Sequence, residues 1–179
     1  YTQVLLPGIE IIEPFIKATL VLLSGGAVIA GSVIAIRQAD AKALLAYSSV
    51  AHVGYIVIGL ALLNEQSIGG GVLHILHHGL AKGALFLAVG AVGWRIASTR
   101  IDDMAGIARH MPVTFAGLVV AGLGLVGVPL TGGFMSKFQL IRGALDAGAM
   151  GWLAIIFIAI GSVLALAYLW RLVEPAYFG

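Results

Sequence analysis

Long, mostly apolar stretches are the feature that most constrains this chain. A helix that spans a bilayer needs about 20 mostly apolar residues. The sequence has five such stretches, at about residues 14–36, 43–63, 69–94, 113–145 and 150–172. The fourth is too long for one simple span, and its Pro129, Gly132 and Gly133 predict a break near residues 129–133. We therefore predict an all-α, polytopic bundle of transmembrane helices, forming a single domain over residues 1–179.

The composition agrees with lipid as the solvent of this chain. Only 10% of the residues are charged and 60% are hydrophobic, whereas soluble proteins carry about 25% charged residues. The chain has no cysteine, which excludes disulfides, thiolate metal sites and cysteine nucleophiles. A net charge of +2 gives no reason to expect a nucleic-acid partner. The sequence also lacks the nucleophile triads, phosphate loops and paired carboxylates of soluble enzymes.

Lysines and arginines at the ends of the spans predict the orientation of the bundle. Loops on the cytoplasmic side carry an excess of these residues. One side would hold Arg37, Lys42, Arg95, Arg100, Arg109 and Arg171, and the other only Lys17 and Arg142. We therefore expect a multi-pass protein of the plasma membrane, with the first-to-second loop, the third-to-fourth loop and the C-terminus in the cytoplasm.

The third span carries ionisable residues on one helix face. His74, His78 and Lys82 are four residues apart, so they share a face and rise by roughly 12 Å from first to last. A lysine at the centre of a bilayer costs about 2.5–3.5 kcal/mol on insertion scales, so its presence indicates a function. Burial favours the neutral amine, which can exchange protons near neutral pH, where histidine also titrates. The row is a candidate proton relay.

Two other interpretations of these histidines stay open. A membrane histidine often only bonds a neighbouring helix, and this applies most to His52 and His77. The spacing of His74 and His78 also suits zinc, but the third span has no carboxylate or thiolate, and Lys82 would repel the cation. A structural or metal-binding membrane segment without transport is therefore an alternative.

The broken span contains a second lysine, Lys137. Irregular backbone at membrane depth is tolerated only in the protein interior or against water. In transporters, the ends of broken helices form ion sites. We expect Lys137 to face such a site, with water reaching it through the break. An ordinary kink, with the lysine extending to the membrane surface, is the alternative.

Three stretches, which follow one another in the same order as in the family, resemble one family of membrane subunits. They are Asp40–Tyr55, His74–Leu87 and Gly127–Lys137. Together they resemble the antiporter-like subunits of respiratory complex I, membrane-bound hydrogenases and Mrp-type Na+/H+ antiporters. Within that family, three parts of the chain are most similar to the D-type subunits of Mrp antiporters: Met111–Thr114, the Gly127–Pro129 break with Ser136-Lys137, and Tyr168–Phe178.

The resemblance implies a fourteen-helix subunit built from two inverted repeats, of which this chain would be roughly the ninth to the thirteenth helix. The polar axis of the family would pass through Lys42, His74, His78, Lys82 and Lys137, supported by His52 and Asp40. The family usually has Lys-Arg where this chain has Lys42-Ala43, which weakens any expectation of anchoring at that loop. The first half-channel would be missing, so we expect a piece of a longer protein.

The resemblance also implies a function. We expect a proton-conducting subunit of a multisubunit Na+/H+ antiporter, in which Lys82 and Lys137 exchange protons through the histidines. The alternative couples the same path to a redox arm, as in a complex I-type NADH:quinone oxidoreductase or a hydrogenase. In both cases the chain would be a transporter subunit rather than a catalyst by itself. It would carry no cofactor and would contact other membrane subunits and lipid.

Overall fold

The computed structural model describes the backbone of residues 9–179 and the side chains of residues 12–179. Six α-helices follow one another: α1 Ile9–Ile36, α2 Ala41–Ala61, α3 Glu65–Ile96, α4 Pro112–Val126, α5 Gly132–Leu145 and α6 Gly148–Phe178. Two short 3-10 helices, Asp102–Met104 and Ile107–Arg109, lie in the loop between α3 and α4. The part of the chain described here contains no β-strand.

Four helices are long and apolar enough to cross a bilayer, namely α1, α2, α3 and α6. Helix α4 is apolar but has only 15 residues, and α5 continues after a short interruption. The two together take the place of the fourth predicted span, and α6 takes that of the fifth. The expectation of an all-helical bundle with about five spans, one of them broken, is confirmed. The chain is a multi-pass integral membrane protein.

Capping side chains define where several helices begin. Asp40 precedes α2, Asn64 precedes α3 and Thr131 precedes α5, and each accepts a hydrogen bond from a backbone N–H in the first turn of its helix. The N–H groups of a first turn have no partner within the helix. The capping side chains therefore supply acceptors to N–H groups that the helices themselves leave without partners.

The interruption between α4 and α5 covers residues 127–131. Gly127 ends α4 in a left-handed conformation with φ +87°, which a glycine adopts without strain. Pro129 has no N–H with which to continue the helix. The sequence predicted a break near residues 129–133, but Thr131 caps α5, so Gly132 and Gly133 lie in the first turn of α5 rather than in the break.

Two clusters of buried hydrophobic side chains fill the bundle, and polar residues separate them along α2. Ala41, Leu44 and Leu45 of α2 belong to the first cluster, together with parts of α3, α4 and α6. Tyr55 and Ile58 of α2 belong to the second cluster, together with parts of α1, α5 and α6. Ser48 and His52, both fully buried, lie on α2 between these two segments. The candidate site is built around them.

Candidate functional site

Lys82 lies inside the bundle on α3, with 6% of its surface exposed. Its Nζ donates hydrogen bonds to the carbonyl oxygen of Leu45 at 2.6 Å and to Oγ of Ser48 at 2.5 Å. Both acceptors belong to α2. Helix α2 therefore supplies the polar partners that a lysine at membrane depth requires.

Lys137 is also buried, with 5% of its surface exposed, and it occupies the helix break. Its Nζ donates to the carbonyl oxygens of Leu125 at 3.1 Å and Val126 at 2.9 Å, and to Oγ of Ser162 at 2.9 Å. Leu125 and Val126 are the last two residues of α4. Carbonyls at a helix C-terminus lack helical N–H partners and carry the negative end of the helix dipole. The break thus presents free acceptors to a cationic group.

Gly127 has a second role beside ending α4. A Cβ atom at this position would lie 2.9 Å from Cδ of Lys137, so the lysine side chain passes directly over the glycine. The sequence pattern indicated Pro129, Gly132 and Gly133 as the residues of the helix break and did not indicate this role of Gly127. A glycine at the end of an apolar helix, two residues before a proline, is the signal that would have identified it.

A chain of hydrogen-bonded side chains connects four helices in the centre of the bundle. His52 Nδ1 lies 3.1 Å from His74 Nε2, and His52 Nε2 lies 3.0 Å from the hydroxyl of Tyr168. His74 Nδ1 lies 2.9 Å from Oγ of Ser136. The chain runs from Tyr168 on α6 through His52 on α2 and His74 on α3 to Ser136 on α5. Each ring nitrogen in it has a partner that can donate or accept a proton.

The remaining histidines of α3 lie beside this chain. The ring of His78 stacks on that of His52, with centroids 5.0 Å apart, but its Nδ1 has no hydrogen-bond partner among the described residues. His77 packs against Gly132 at the start of α5. The sequence predicted a path through His74 and His78 with His52 in support. In the structure His52, rather than His78, bonds directly to His74.

Lys42 and Asp40 lie apart from the buried lysines. Lys42 is exposed at the start of α2, beside Trp94 near the end of α3. Partial burial would raise the pKa of Asp40, but hydrogen bonds from the Thr99 hydroxyl and from the N–H groups of Ala43 and Lys42 hold it below the usual value. Asp40 thus joins the α1–α2 turn to the loop after α3.

Five polar residues of the site were not identified from the sequence. They are Ser48, Ser136, Ser162, Tyr168 and Tyr55, whose ring is centred 4.7 Å from Nζ of Lys137. Ser136 directly precedes Lys137, and Ser48 is one helical turn before His52, so both are adjacent to residues that the sequence did indicate. Nothing in the local sequence indicates that Ser162 and Tyr168 of α6 face these groups, because their partners are contributed by distant helices.

The arrangement of donors does not favour a metal site. In the described part of the chain, no three His, Cys, Asp or Glu residues are grouped so that they could hold a metal ion. Both ring nitrogens of His74 already lie within hydrogen-bonding distance of His52 and Ser136. A metal bound by His74 would displace one of these partners.

Comparisons with known proteins agree on one family. A family model described as "NADH:quinone oxidoreductase/Mrp antiporter, TM" matches residues 2–165. NADH-quinone oxidoreductase subunit N of Desulforudis audaxviator is 43% identical over 155 residues, which cover 87% of this chain and 30% of that protein. NADH-quinone oxidoreductase subunit M of Rickettsia felis is 32% identical over 179 residues, covering 100% of this chain and 36% of that protein.

A solved structure shows the same fold. One chain in the structure of the Mrp complex from Dietzia sp. superposes with a TM-score of 0.84 at 30% identity, covering 91% of this chain and 30% of that chain. The present chain spans about a third of the length of the curated relatives it matches. Because the family model matches residues 2–165 and these relatives agree with it, the chain belongs to the NADH:quinone oxidoreductase/Mrp antiporter family of antiporter-like membrane subunits.

Proposed function

We propose that this chain conducts protons through a buried relay of lysines and histidines, as one part of a multisubunit membrane complex. The observation that carries the proposal is the hydrogen-bonded pair His52–His74, at 3.1 Å, in a bundle that also buries two lysines. Lys82 bonds to α2 one helical turn before His52, and Lys137 directly follows Ser136, the partner of His74. Proton-exchanging groups therefore flank both ends of the histidine pair.

The chemistry of the relay follows from its members. A histidine can accept a proton on one ring nitrogen and release another from the opposite nitrogen, so a bonded pair passes a proton along. A lysine that gains a proton makes the charged form of its neighbours less favourable, because like charges repel at short range. This repulsion would drive a proton onward from one lysine toward the other.

His78 and Lys42 keep secondary places in the proposed relay. His78 stacks on His52 and has a ring nitrogen free among the described residues, so it can join the path when water or a side-chain rotation connects it. Lys42 is exposed near the end of α3, where we propose that it exchanges protons with solvent or with a neighbouring subunit. In this proposal Asp40 and the helix break hold the relay residues in position.

The names of the relatives support a complex I-type assembly over an Mrp antiporter. The two sequence relatives are named as NADH-quinone oxidoreductase subunits N and M. We therefore propose that redox energy from a neighbouring arm drives the protons and that the partners are other membrane subunits. Na+/H+ antiport in an Mrp-type complex is the second candidate, and the similarity to a chain of the Dietzia Mrp complex supports it.

We further propose that residues 1–179 form one transmembrane domain within a longer subunit of the plasma membrane. A longer protein is supported by the relatives, of which the chain covers only 30% and 36%. The distribution of lysine and arginine supports cytoplasmic loops after the first and third spans. Insertion of a short accessible tag into each loop would test this orientation.

The proposed relay predicts that Lys82→Ala abolishes proton transport while the complex still assembles. Removing one proton-exchanging group from a relay should lower the rate by about a hundredfold or more. The variant is made in the complete gene, and the ΔpH driven by NADH and by Na+ is measured separately in everted vesicles. The driving force that supports transport in the wild type identifies the complex.

Lys17→Ala is the matched control for this experiment. Lys17 lies on α1, which contributes no residue to the hydrogen-bonded chain. We expect the control to transport protons as the wild type does. Undiminished transport in an assembled Lys82→Ala complex would refute the relay.

A further inference from the structure

The three oxygen atoms around Lys137 Nζ match the donors of a primary ammonium group. The carbonyl oxygens of Leu125 and Val126 and Oγ of Ser162 lie 3.1, 2.9 and 2.9 Å from the nitrogen, within the range of N–H···O hydrogen bonds. A primary ammonium has three N–H donors and no acceptor, so each donor has one oxygen. The ring of Tyr55, centred 4.7 Å from Nζ, adds a cation–π contact.

These oxygens are positioned by contacts that do not involve Lys137. Gly127 terminates α4 in its left-handed conformation and leaves the two carbonyls without helical partners. The hydroxyl of Ser162 donates its own hydrogen to the carbonyl of Ile158 at 2.9 Å, which leaves its lone pairs for an incoming donor. The acceptors belong to α4 and α6, whereas Lys137 comes from α5. The lysine thus enters the site as a ligand from a third helix.

We propose that Leu125 O, Val126 O and Ser162 Oγ form a binding site for a primary ammonium ion, in which Ser162 is a positioning residue. Lys137 is its tethered occupant, and a free alkylammonium ion takes the site when the lysine side chain is removed. The consequence for transport rests on the proposed relay. A neutral amine has only two N–H donors, so loss of a proton breaks one of the three bonds and loosens the lysine in the site.

The length of the occupant is set by the path of the lysine side chain. Lys137→Ala removes three carbons and the nitrogen, which together are the atoms of n-propylammonium. This path runs over Gly127, where an added Cβ would lie 2.9 Å from Lys137 Cδ, so little width is spare. We expect n-propylammonium to bind better than methylammonium, which buries fewer carbons, and better than n-pentylammonium, which is too long.

The test is binding of radiolabelled n-propylammonium to the purified complex carrying Lys137→Ala in the complete subunit. We expect saturable binding at least about tenfold tighter than in the wild type, where Lys137 occupies the site. Ser162→Ala in the same background should weaken binding by about tenfold or more, because a hydrogen bond to a charged group is lost. Ser162→Thr keeps the hydroxyl and should retain binding. Ser24→Ala, which alters a serine bonded only to carbonyls of α1, is the control.

Three results would overturn the proposal. They are absence of saturable binding, equal binding of n-propyltrimethylammonium, which has no N–H donor, and unchanged binding in the Ser162→Ala variant. If Lys137→Ala does not assemble, the exchange of the Nζ hydrogens is measured in complexes that keep Lys137. Ser162→Ala should accelerate this exchange, and an unchanged rate would equally overturn the role of Ser162.

Binding and transport separate this proposal from the proposed function. Binding is measured without a proton gradient, so its failure leaves the relay in place. Conversely, a complex that binds n-propylammonium but whose wild type moves no protons would retain the site and lose the relay. If both hold, n-propylammonium should restore part of the proton transport of Lys137→Ala, and n-propyltrimethylammonium should not.

Discussion

At the scale of single residues, each buried lysine is bonded to carbonyl oxygens of a different helix. Lys82 reaches Leu45 of α2, and Lys137 reaches the last two residues of α4. A serine accompanies the carbonyls in both sites and donates its own hydrogen within its helix, so it serves as an acceptor for the lysine. Backbone oxygens supply acceptors without adding a carboxylate, whose charge would bind a lysine proton more firmly.

The capping of α2 by Asp40 can be tested at the same scale. Asp40→Ala should lower the free energy of unfolding by about 1 kcal/mol, because α2 loses its N-terminal cap. Asp40→Asn should keep most of the stability, since asparagine also caps helices. Both are measured by thermal unfolding of the detergent-solubilised protein, followed by tryptophan fluorescence.

The lowered pKa of Asp40 adds a dependence on pH. Its folded pKa lies below the ordinary value of 3.8, so the stability from its charge is present above that value. This contribution is lost as the pH falls through the lowered pKa. As the pH falls from about 5 to below the lowered pKa, the wild type should therefore lose more stability than Asp40→Asn. Parallel pH profiles of the two proteins would contradict the assignment.

At the scale of elements, α4 and α5 act as one interrupted span whose halves pack directly together. A Cβ on Gly133 would overlap the carbonyl oxygen of Gly124, so only glycine permits this approach. The contact places the first turn of α5 beside the end of α4. It therefore aligns Lys137, one turn further along α5, with the free carbonyls of α4.

Gly133→Ala should separate the two halves and disrupt the Lys137 site. Overpacking of this kind typically costs about 1–3 kcal/mol, and we expect loss of proton transport together with reduced assembly. Gly124→Ala is the matched control, because a Cβ there meets nothing within 4 Å and alanine favours a helix more than glycine does. Assembly is measured by native gel electrophoresis of the solubilised complex. Normal transport in Gly133→Ala would show that the close contact is dispensable.

At the scale of the whole molecule, the central hydrogen-bonded chain joins helices that are distant in sequence. Tyr168 and His52 are 116 residues apart, and their bond links α6 to α2. Near the helix ends, the backbone of Ala41 donates to the carbonyl of Thr99 at 2.9 Å, and Arg171 donates to the carbonyl of Ile36. These contacts hold the helices in register around the buried polar residues.

Tyr168→Phe tests this connection, because it removes one hydroxyl and keeps the ring. His52 Nε2 would then lose its partner, and a buried group without a hydrogen bond costs about 1–3 kcal/mol. We expect slower proton transport in a complex that still assembles, as measured by the ΔpH in everted vesicles. Tyr47→Phe is the control, since Tyr47 is exposed. Equal transport in both variants would remove Tyr168 from the relay.

Much of the fold could be predicted from the sequence because the bilayer imposes a length on every span. The apolar segments and the break around Pro129 follow from local composition and from the chemistry of proline. The place of His52 could not be predicted in the same way. The local sequence around a single histidine in an apolar helix is the same whether the histidine packs against a neighbour or bonds to His74. Which of the two occurs depends on how α2 and α3 are rotated against each other.

By itself, the sequence determined that this chain is a helical membrane bundle of the antiporter-like family with ionisable residues at membrane depth. Hydropathy and motif spacing are local properties, so they can be determined without knowledge of the fold. Only the tertiary structure decided which groups bind Lys82 and Lys137. Every residue has a carbonyl oxygen, and whether those of Leu125 and Val126 are free depends on where α4 ends. Which side chain reaches them depends on how α5 and α6 pack against that end.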